Sequence, residues 1–222
     1  MLYTSTITEK IKKLAADKQG RYRSFDHIHD AFINRPSTLT QKDKDKLALL
    51  LFYYLASWGM LRKSVLLQKD YTCMIPIIDI LTDSKYLFLQ NIDPYSPTFN
   101  DEKYIDTILE LKERITSDIT SQNYLRSDYT LQPMRVTDTL ISKILLGTLA
   151  CVLAYDKQVR TSLHNLNGFS SSERLNQPSL RRILALVRSE QSELLQAQED
   201  IKTIFGKGYP IMKVLDLILW CR

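Results

Sequence analysis

Two apolar runs constrain this chain more than any other feature: Leu47 to Leu61, and Ile144 to Tyr155. Both fall short of the roughly 20 apolar residues that cross a bilayer as a helix. Neither shows the strict alternation of a half-buried strand, and only six glycines interrupt the whole chain. The reading that satisfies all three facts is an all-α, single globular multi-helix domain over residues 1–222. Two buried apolar helices, Leu47–Trp58 and Val136–Tyr155, stand at its centre. A chain of 222 residues hides about 70% of the surface its unfolded form exposes, so such a core needs no disulfide or metal.

The flanking pattern supplies the other helices. Ile7, Ile11 and Leu14 share a stripe in a helix opening near Thr6 or Thr8 and stopping at Gly20. Ser24 is placed to cap a short helix that ends before Pro36. Thr38 or Thr40 opens the first apolar helix, which becomes apolar on nearly every face and so reads as buried on all sides. Past Gly59, helix is expected again from Met60 to Lys69. Ile75–Leu81 reads as a short helix with Pro76 in its first turn, or as a buried strand. Asp101 starts a helix with Tyr104, Ile105, Ile108, Leu111 and Ile115 inward and the Lys112 ammonium reaching solvent. Ser121 to Pro133 is polar and irregular, and one long helix is expected from Pro178 to Phe205. Tyr209-Pro210 then opens a last apolar helix ending at Trp220.

Three cysteines, Cys73, Cys151 and Cys221, lie far apart in apolar surroundings. They read as free buried thiols in a reducing, cytoplasmic setting and give no zinc pattern. The first residues carry no secretory signal. No cofactor and no membrane partner are expected. Residues 1–70 hold 13 Lys/Arg against 7 Asp/Glu, whereas residues 71–130 hold 5 against 10. That asymmetry fits solvated helix surfaces, and it equally fits a basic face for nucleic acid or an acidic protein, or a homo-oligomer.

Two segments depart from generic helix. In the first, a buried helix runs through Trp58-Gly59 into Arg62 and Lys63, with Gln68, Lys69 and Tyr71 following. Arg62 is suited to bidentate phosphate or carboxylate recognition and Lys63 to a point charge; both also suit a helix C-terminus. In the second, Lys143 interrupts an apolar stretch, where an unpaired ammonium is costly, and Tyr155-Asp156 ends it. Asp156 is placed to cap the next helix. The candidate binding set is Arg62, Lys63, Gln68, Lys69, Lys143, Tyr155 and Asp156.

These segments resemble a family of bacterial all-helical proteins with no assigned activity. The likeness is carried by Ala56-Ser57-Trp58-Gly59-Met60-x-Arg62, by Leu67-Gln68-Lys69-Asp70-Tyr71, and by Lys143-Ile144-Leu145-Leu146-Gly147 with Ala154-Tyr155-Asp156. Asp26-His27 and Tyr209-Pro210-x-Met212-Lys213 extend it. The family favours glycine at the positions of Lys63 and Ala150 and proline at that of Leu153. The resemblance implies no activity.

Arg23 and His29, with five residues between them, resemble the Arg-x(4–6)-His signature of HEPN ribonucleases, as do Arg21 and His27; in that family the pair supports metal-free RNA cleavage. Here it lies near the N-terminus, whereas that family places it late. Lys143 followed by Asp156 is similar in order to the helix-hairpin-helix DNA glycosylases, without their Gly-rich hairpin. No nucleotide-binding glycine motif or serine-nucleophile motif is present. The leading expectation is therefore a helical binding module with a basic surface around Arg62, Lys63 and Lys69, and nucleic acid as first partner. A nucleic-acid-processing enzyme and a structural oligomer subunit are the alternatives.

Overall fold

In a computed structural model, residues 1–62, 65–125, 129–166 and 168–222 are described, Val65 and Asn91 by their backbone alone. Helix α1 (Ser5–Ala16) starts where the Thr4 hydroxyl accepts from the Ile7 N–H, buries Ile7, Ile11 and Ala15, and ends at Asp17, before Gly20. Helix α2 (Arg23–Ile33) begins at Tyr22, not Ser24. The Ser24 hydroxyl instead donates to the Arg21 carbonyl at 2.6 Å and meets the Ser57 hydroxyl at 2.6 Å. A side chain that faces the core in this way cannot cap.

Helix α3 (Gln41–Ser57) opens on a reciprocal capping box between Thr40 and Asp43. It buries Leu47, Ala48, Leu51, Tyr54 and Leu55 and leaves Leu49 and Tyr53 half in solvent. Its end is set by Gly59 at φ +75°. The Met60 N–H reaches back to Leu55 and the Gly59 N–H to Ala56, each at 2.9 Å, the bond pair of a Schellman stop. The chain therefore turns away, and single 3₁₀ turns at Val65–Gln68 and Tyr71–Met74 replace the helix expected to Lys69. Helix α4 (Ile75–Leu81) carries Pro76 in its first turn, and a 3₁₀ segment follows at Ser84–Asn91.

Helix α5 (Asp101–Ser121) is capped by Asn100 and buries all five residues of its expected stripe, with Ile119 added. Lys112 stays partly exposed, as expected at the edge of the stripe, but it is anchored. Its ammonium donates to the Leu175 carbonyl and pairs with Asp138, each at 2.7 Å. The stretch expected to be irregular contains a small hairpin, Asn123–Leu125 against Leu131–Pro133.

The second apolar run departs furthest from expectation. Helix α6 (Asp138–Thr148) accounts for only its first half. Ala150 sits at φ +50°, a left-handed conformation that costs an L-residue roughly 1–2 kcal/mol. Residues 149–155 then run buried but not helical. A buried irregular backbone must find partners for its own polar groups, and here side chains provide them. Tyr104 donates to the Cys151 carbonyl at 2.7 Å, and Asp216 accepts from the Ala154 N–H at 2.9 Å. Ser142 accepts from the Tyr155 N–H and Thr139 donates to the Tyr155 carbonyl, both at 2.8 Å. Hydrophobicity fixed that this run is inside; it did not fix its period.

Helix α7 (Lys157–His164) is capped by Asp156. The helix expected from Pro178 to Phe205 is two, α8 (Gln177–Ser189) and α9 (Gln191–Phe205), broken at Glu190 within the wholly polar stretch 188–193. Helix α10 (Ile211–Cys221) is buried along nearly its whole length. One cluster of buried side chains holds both apolar runs, Leu51 and Tyr54 of the first together with Ile141, Ile144 and Leu153 of the second. Among the described residues no helix is long and apolar enough to cross a membrane.

Candidate functional site

The Schellman turn that ends α3 sets Trp58 at its C-cap, and three cations gather on that indole. Lys143, from the middle of α6, has a side chain only 3% exposed. Its ammonium lies 2.7 Å from Asp156 Oδ2 and 4.3 Å from the centre of the Trp58 ring. Lys213, from α10, lies 3.4 Å from Asp216 Oδ2, 4.6 Å from the Phe25 ring and 6.0 Å from that of Trp58. The Arg21 guanidinium, on the solvent side, stands 5.1 Å from Trp58 and 5.7 Å from Trp220. The two indoles meet edge to face at 5.8 Å.

Removing an ammonium and a carboxylate from water costs several kcal/mol per ion, recovered only when the remaining lone pairs and faces are also used. They are used here. Asp156 Oδ1 accepts from the Val159 N–H at 3.0 Å and Asp216 Oδ1 from the Ala154 N–H at 2.9 Å, while the aromatic faces receive the ammonium groups. Both expectations for this pair hold together: Asp156 caps α7 and also neutralises Lys143. Burial, and after it the charges of Asp216 and Asp156, hold the Tyr54 phenol well above its ordinary pKa. Tyr54 in turn packs where Gly147 leaves room; a Cβ at that glycine would lie 2.6 Å from its ring. The Trp58 Nε1 is buried without a hydrogen-bond partner among the described residues.

Not every residue of the expected binding set converges here. The Tyr155 hydroxyl pairs with Ser179 at 2.9 Å, and its segment is not helical. Lys69 donates to the Asn123 carbonyl and so ties its turn to the hairpin. Arg62 and Gln68 are exposed beyond the turn at Gly59, and Lys63 lies outside the described residues. Of the basic surface expected around Arg62, Lys63 and Lys69, Arg62 is thus exposed and near the Trp58 cluster in sequence, and it makes no ion pair among the described residues.

Arg23, His27 and His29 engage separate surroundings. Arg23 lies 3.5 Å from Asp26 and over the Phe205 ring, His27 is exposed, and His29 is buried against the Thr148 carbonyl at 2.9 Å. Asp26 also accepts from the Tyr209 hydroxyl at 2.8 Å and pairs with Lys207 at 3.3 Å. Burial lowers the His29 pKa, the Thr148 carbonyl opposes this, and weaker charges follow, with Lys207 and Lys213 lowering it and Asp30 raising it. Below roughly pH 6.5, the ordinary histidine value, the unfolded chain takes up a proton that folded His29 refuses. Stability, complete above that pH, should therefore fall as the medium acidifies toward the lower folded value, by at most about 1.4 kcal/mol per pH unit from this group. Urea unfolding of the wild type and His29→Gln at roughly pH 7.5, 6.5 and 5.5 checks this. The variant should lose the slope over that interval; an unchanged slope would assign it elsewhere.

The thiols offer no nucleophile. Burial pushes Cys73 and Cys221 up to about 11 and Cys151 higher still. Among the described residues no three His, Cys, Asp or Glu side chains gather as a metal site requires.

Asp216 was not singled out in the sequence, and Lys213 and Arg21 were noted only for resemblances and not as members of this cluster, although the signal that picked out Lys143 was present in the last helix. Lys213 and Asp216 are the two charges inside the otherwise apolar run Ile211–Trp220, at the three-residue spacing that places them on one helix face. Comparison with family models, with curated proteins and with solved structures returns no match.

Proposed function

We propose that this protein is a helical binding module that receives an anionic partner, single-stranded nucleic acid first, at the Trp58–Trp220–Arg21 face. One observation carries the reading: three cations share the Trp58 indole, and two carboxylates answer them. Lys143 and Lys213 are neutralised inside, so Arg21 is the outward charge, set between two partly exposed indoles. Aromatic faces beside a guanidinium are what sequence-tolerant binding of a single strand uses, the bases stacking and the phosphates meeting arginine. Arg62, four residues beyond Trp58 and exposed, extends the positive surface. An acidic protein face is the second partner of the same chemistry. Cleavage through Lys143 and Asp156 gains less support, since the ammonium is covered by Trp58 and both carboxylate oxygens are engaged.

The chain contains only two tryptophans, and both are in this site, so their fluorescence reports on it directly. Titration with a short single-stranded oligonucleotide should quench the emission, with affinity falling as salt rises. Arg21→Ala should weaken binding about tenfold and reduce the salt slope by about one. RNA in the same sample should stay intact, and His27→Ala should change nothing. Absence of quenching at low salt, or an Arg21→Ala variant that binds as well as wild type, would remove this reading. Metal-free RNA degradation lost on His27→Ala or His29→Ala would install the ribonuclease in its place.

A further inference from the structure

A cleft of about 480 Å³ opens between the C-terminal half of α2, the loop at residues 92–95, the middle of α9 and the approach to α10, and shares no lining residue with the Trp58 cluster. Its volume is that of a small-molecule site. Its charged lining is one-sided. Asp30 and Asp93 bring two carboxylates and no lysine or arginine lines the cleft, in a chain whose formal charge is +5.

His29 sets the character of the floor. It is 4% exposed, and its Nδ1 lies 2.9 Å from the Thr148 carbonyl oxygen. A carbonyl can only accept, so Nδ1 carries the proton and the neutral ring keeps Nε2 as an acceptor. Among the described residues Nε2 makes no hydrogen bond. Gln198 is fixed in the same sense: its amide nitrogen donates to the Tyr209 carbonyl at 2.7 Å, which leaves its oxygen to accept. Lys207 occupies one oxygen of Asp30 at 2.5 Å, and Asp93 Oδ1 accepts the Tyr95 N–H at 3.0 Å. Tyr95 lines the cleft as well, and its hydroxyl is buried without a partner among the described residues. Ile33 and Leu195, both more than 40% exposed, and Ile211 supply apolar wall.

We infer that this cleft binds a small organic ammonium with an apolar body, its N–H groups shared among His29 Nε2, the Asp93 carboxylate and the Gln198 oxygen. An anion would face the Asp93 carboxylate, the Asp30 carboxylate that Lys207 only partly offsets, and a lone pair. A neutral apolar molecule would leave the imidazole acceptor buried and unpaired, which is the penalty that separates ligands with and without a matching donor.

The probe is 2-phenylethylammonium, with 3-phenylpropionate and 2-phenylethanol as partners of like shape and different charge, added to the full-length protein. Binding is followed by calorimetry and by the ¹⁵N resonances of the histidine side chains. The ammonium should bind saturably in the millimolar range or tighter, shift the His29 Nε2 resonance, and bind at least fivefold more weakly to Asp93→Asn. That substitution keeps the side-chain oxygen that accepts from Tyr95, and unchanged thermal unfolding of the variant confirms an intact fold. Failure of the ammonium to saturate, equal binding of the propionate or the alcohol, or indifference to Asp93→Asn would each overturn the assignment. None of these results bears on the Trp58 face, whose oligonucleotide titration stands separately.

Discussion

Asp216→Ala should cost the fold about 3–5 kcal/mol, the range for removing one partner of a buried ion pair. Asp216 is 4% exposed, and two groups depend on it. The Lys213 side chain, 3.4 Å away, would lose its carboxylate within a nearly closed space between Phe25 and Trp58. The Ala154 N–H, which donates to Oδ1 at 2.9 Å, would lose its partner in a segment that has no helix or sheet to fall back on. Since domains of this size are stable by roughly 5–15 kcal/mol, the variant should unfold at a much lower urea concentration. Lys213→Met combined with Asp216→Ala should regain part of the loss, because the unpaired amino group is gone and a hydrophobe of similar length fills its path. It should not regain all of it, because the Ala154 N–H is still unpaired. A single-variant loss below about 1 kcal/mol, the range of exposed pairs, would mean that water reaches the pair and that the interior of the Trp58 cluster is wet.

The same residue shows what the amino-acid sequence made legible and what it hid. Helix class, the caps at Thr40 and Asp156, and the inward stripe of α5 follow from local chemistry, since capping oxygens and 3.6-residue spacing act within one or two turns. The second apolar run misled because burial and helicity are separate properties. Leu149 to Tyr155 is as apolar as any helix core, yet it is irregular, and what permits this lies far along the chain, in Tyr104 and Asp216. A periodicity argument cannot see a backbone partner 62 residues away. The site divides along the same line. Lys143 and Asp156 were conspicuous as charges in or after apolar sequence, and they meet. Arg62, Gln68 and Tyr155 were grouped with them by expecting helix from Met60 to Lys69 and through Tyr155, whereas α3 stops at Gly59 and the backbone is irregular after Thr148. Lys213 and Asp216 obeyed the rule that exposed Lys143, applied to the last helix.

Gly147→Ala should destabilise the protein by about 2 kcal/mol, against the direction that helix propensity alone would give. In an exposed helix interior, alanine in place of glycine gains roughly 1 kcal/mol. At Gly147 the new methyl would lie 2.6 Å from Tyr54 Cε1 and 2.9 Å from Cδ1. Tyr54 cannot swing aside, since it is 1% exposed and packed in the common core. The overlap is therefore relieved by separating α6 from α3, and overpacking of this kind costs about 1–3 kcal/mol even in cores that adapt. Because Trp58 sits one turn beyond Tyr54 on α3 and Lys143 one turn before Gly147 on α6, separation should also pull the indole from the ammonium and change tryptophan emission in the native state. Urea unfolding followed by fluorescence reads both effects together. Trimming the other side of the contact tests the cause: with Tyr54→Leu already present, Gly147→Ala should cost at least about 1 kcal/mol less than it does in the wild type, the non-additivity expected of residues in contact. Additive costs would show that the two helices do not press on each other at this point, and that what holds Trp58 over Lys143 is the ion pair alone.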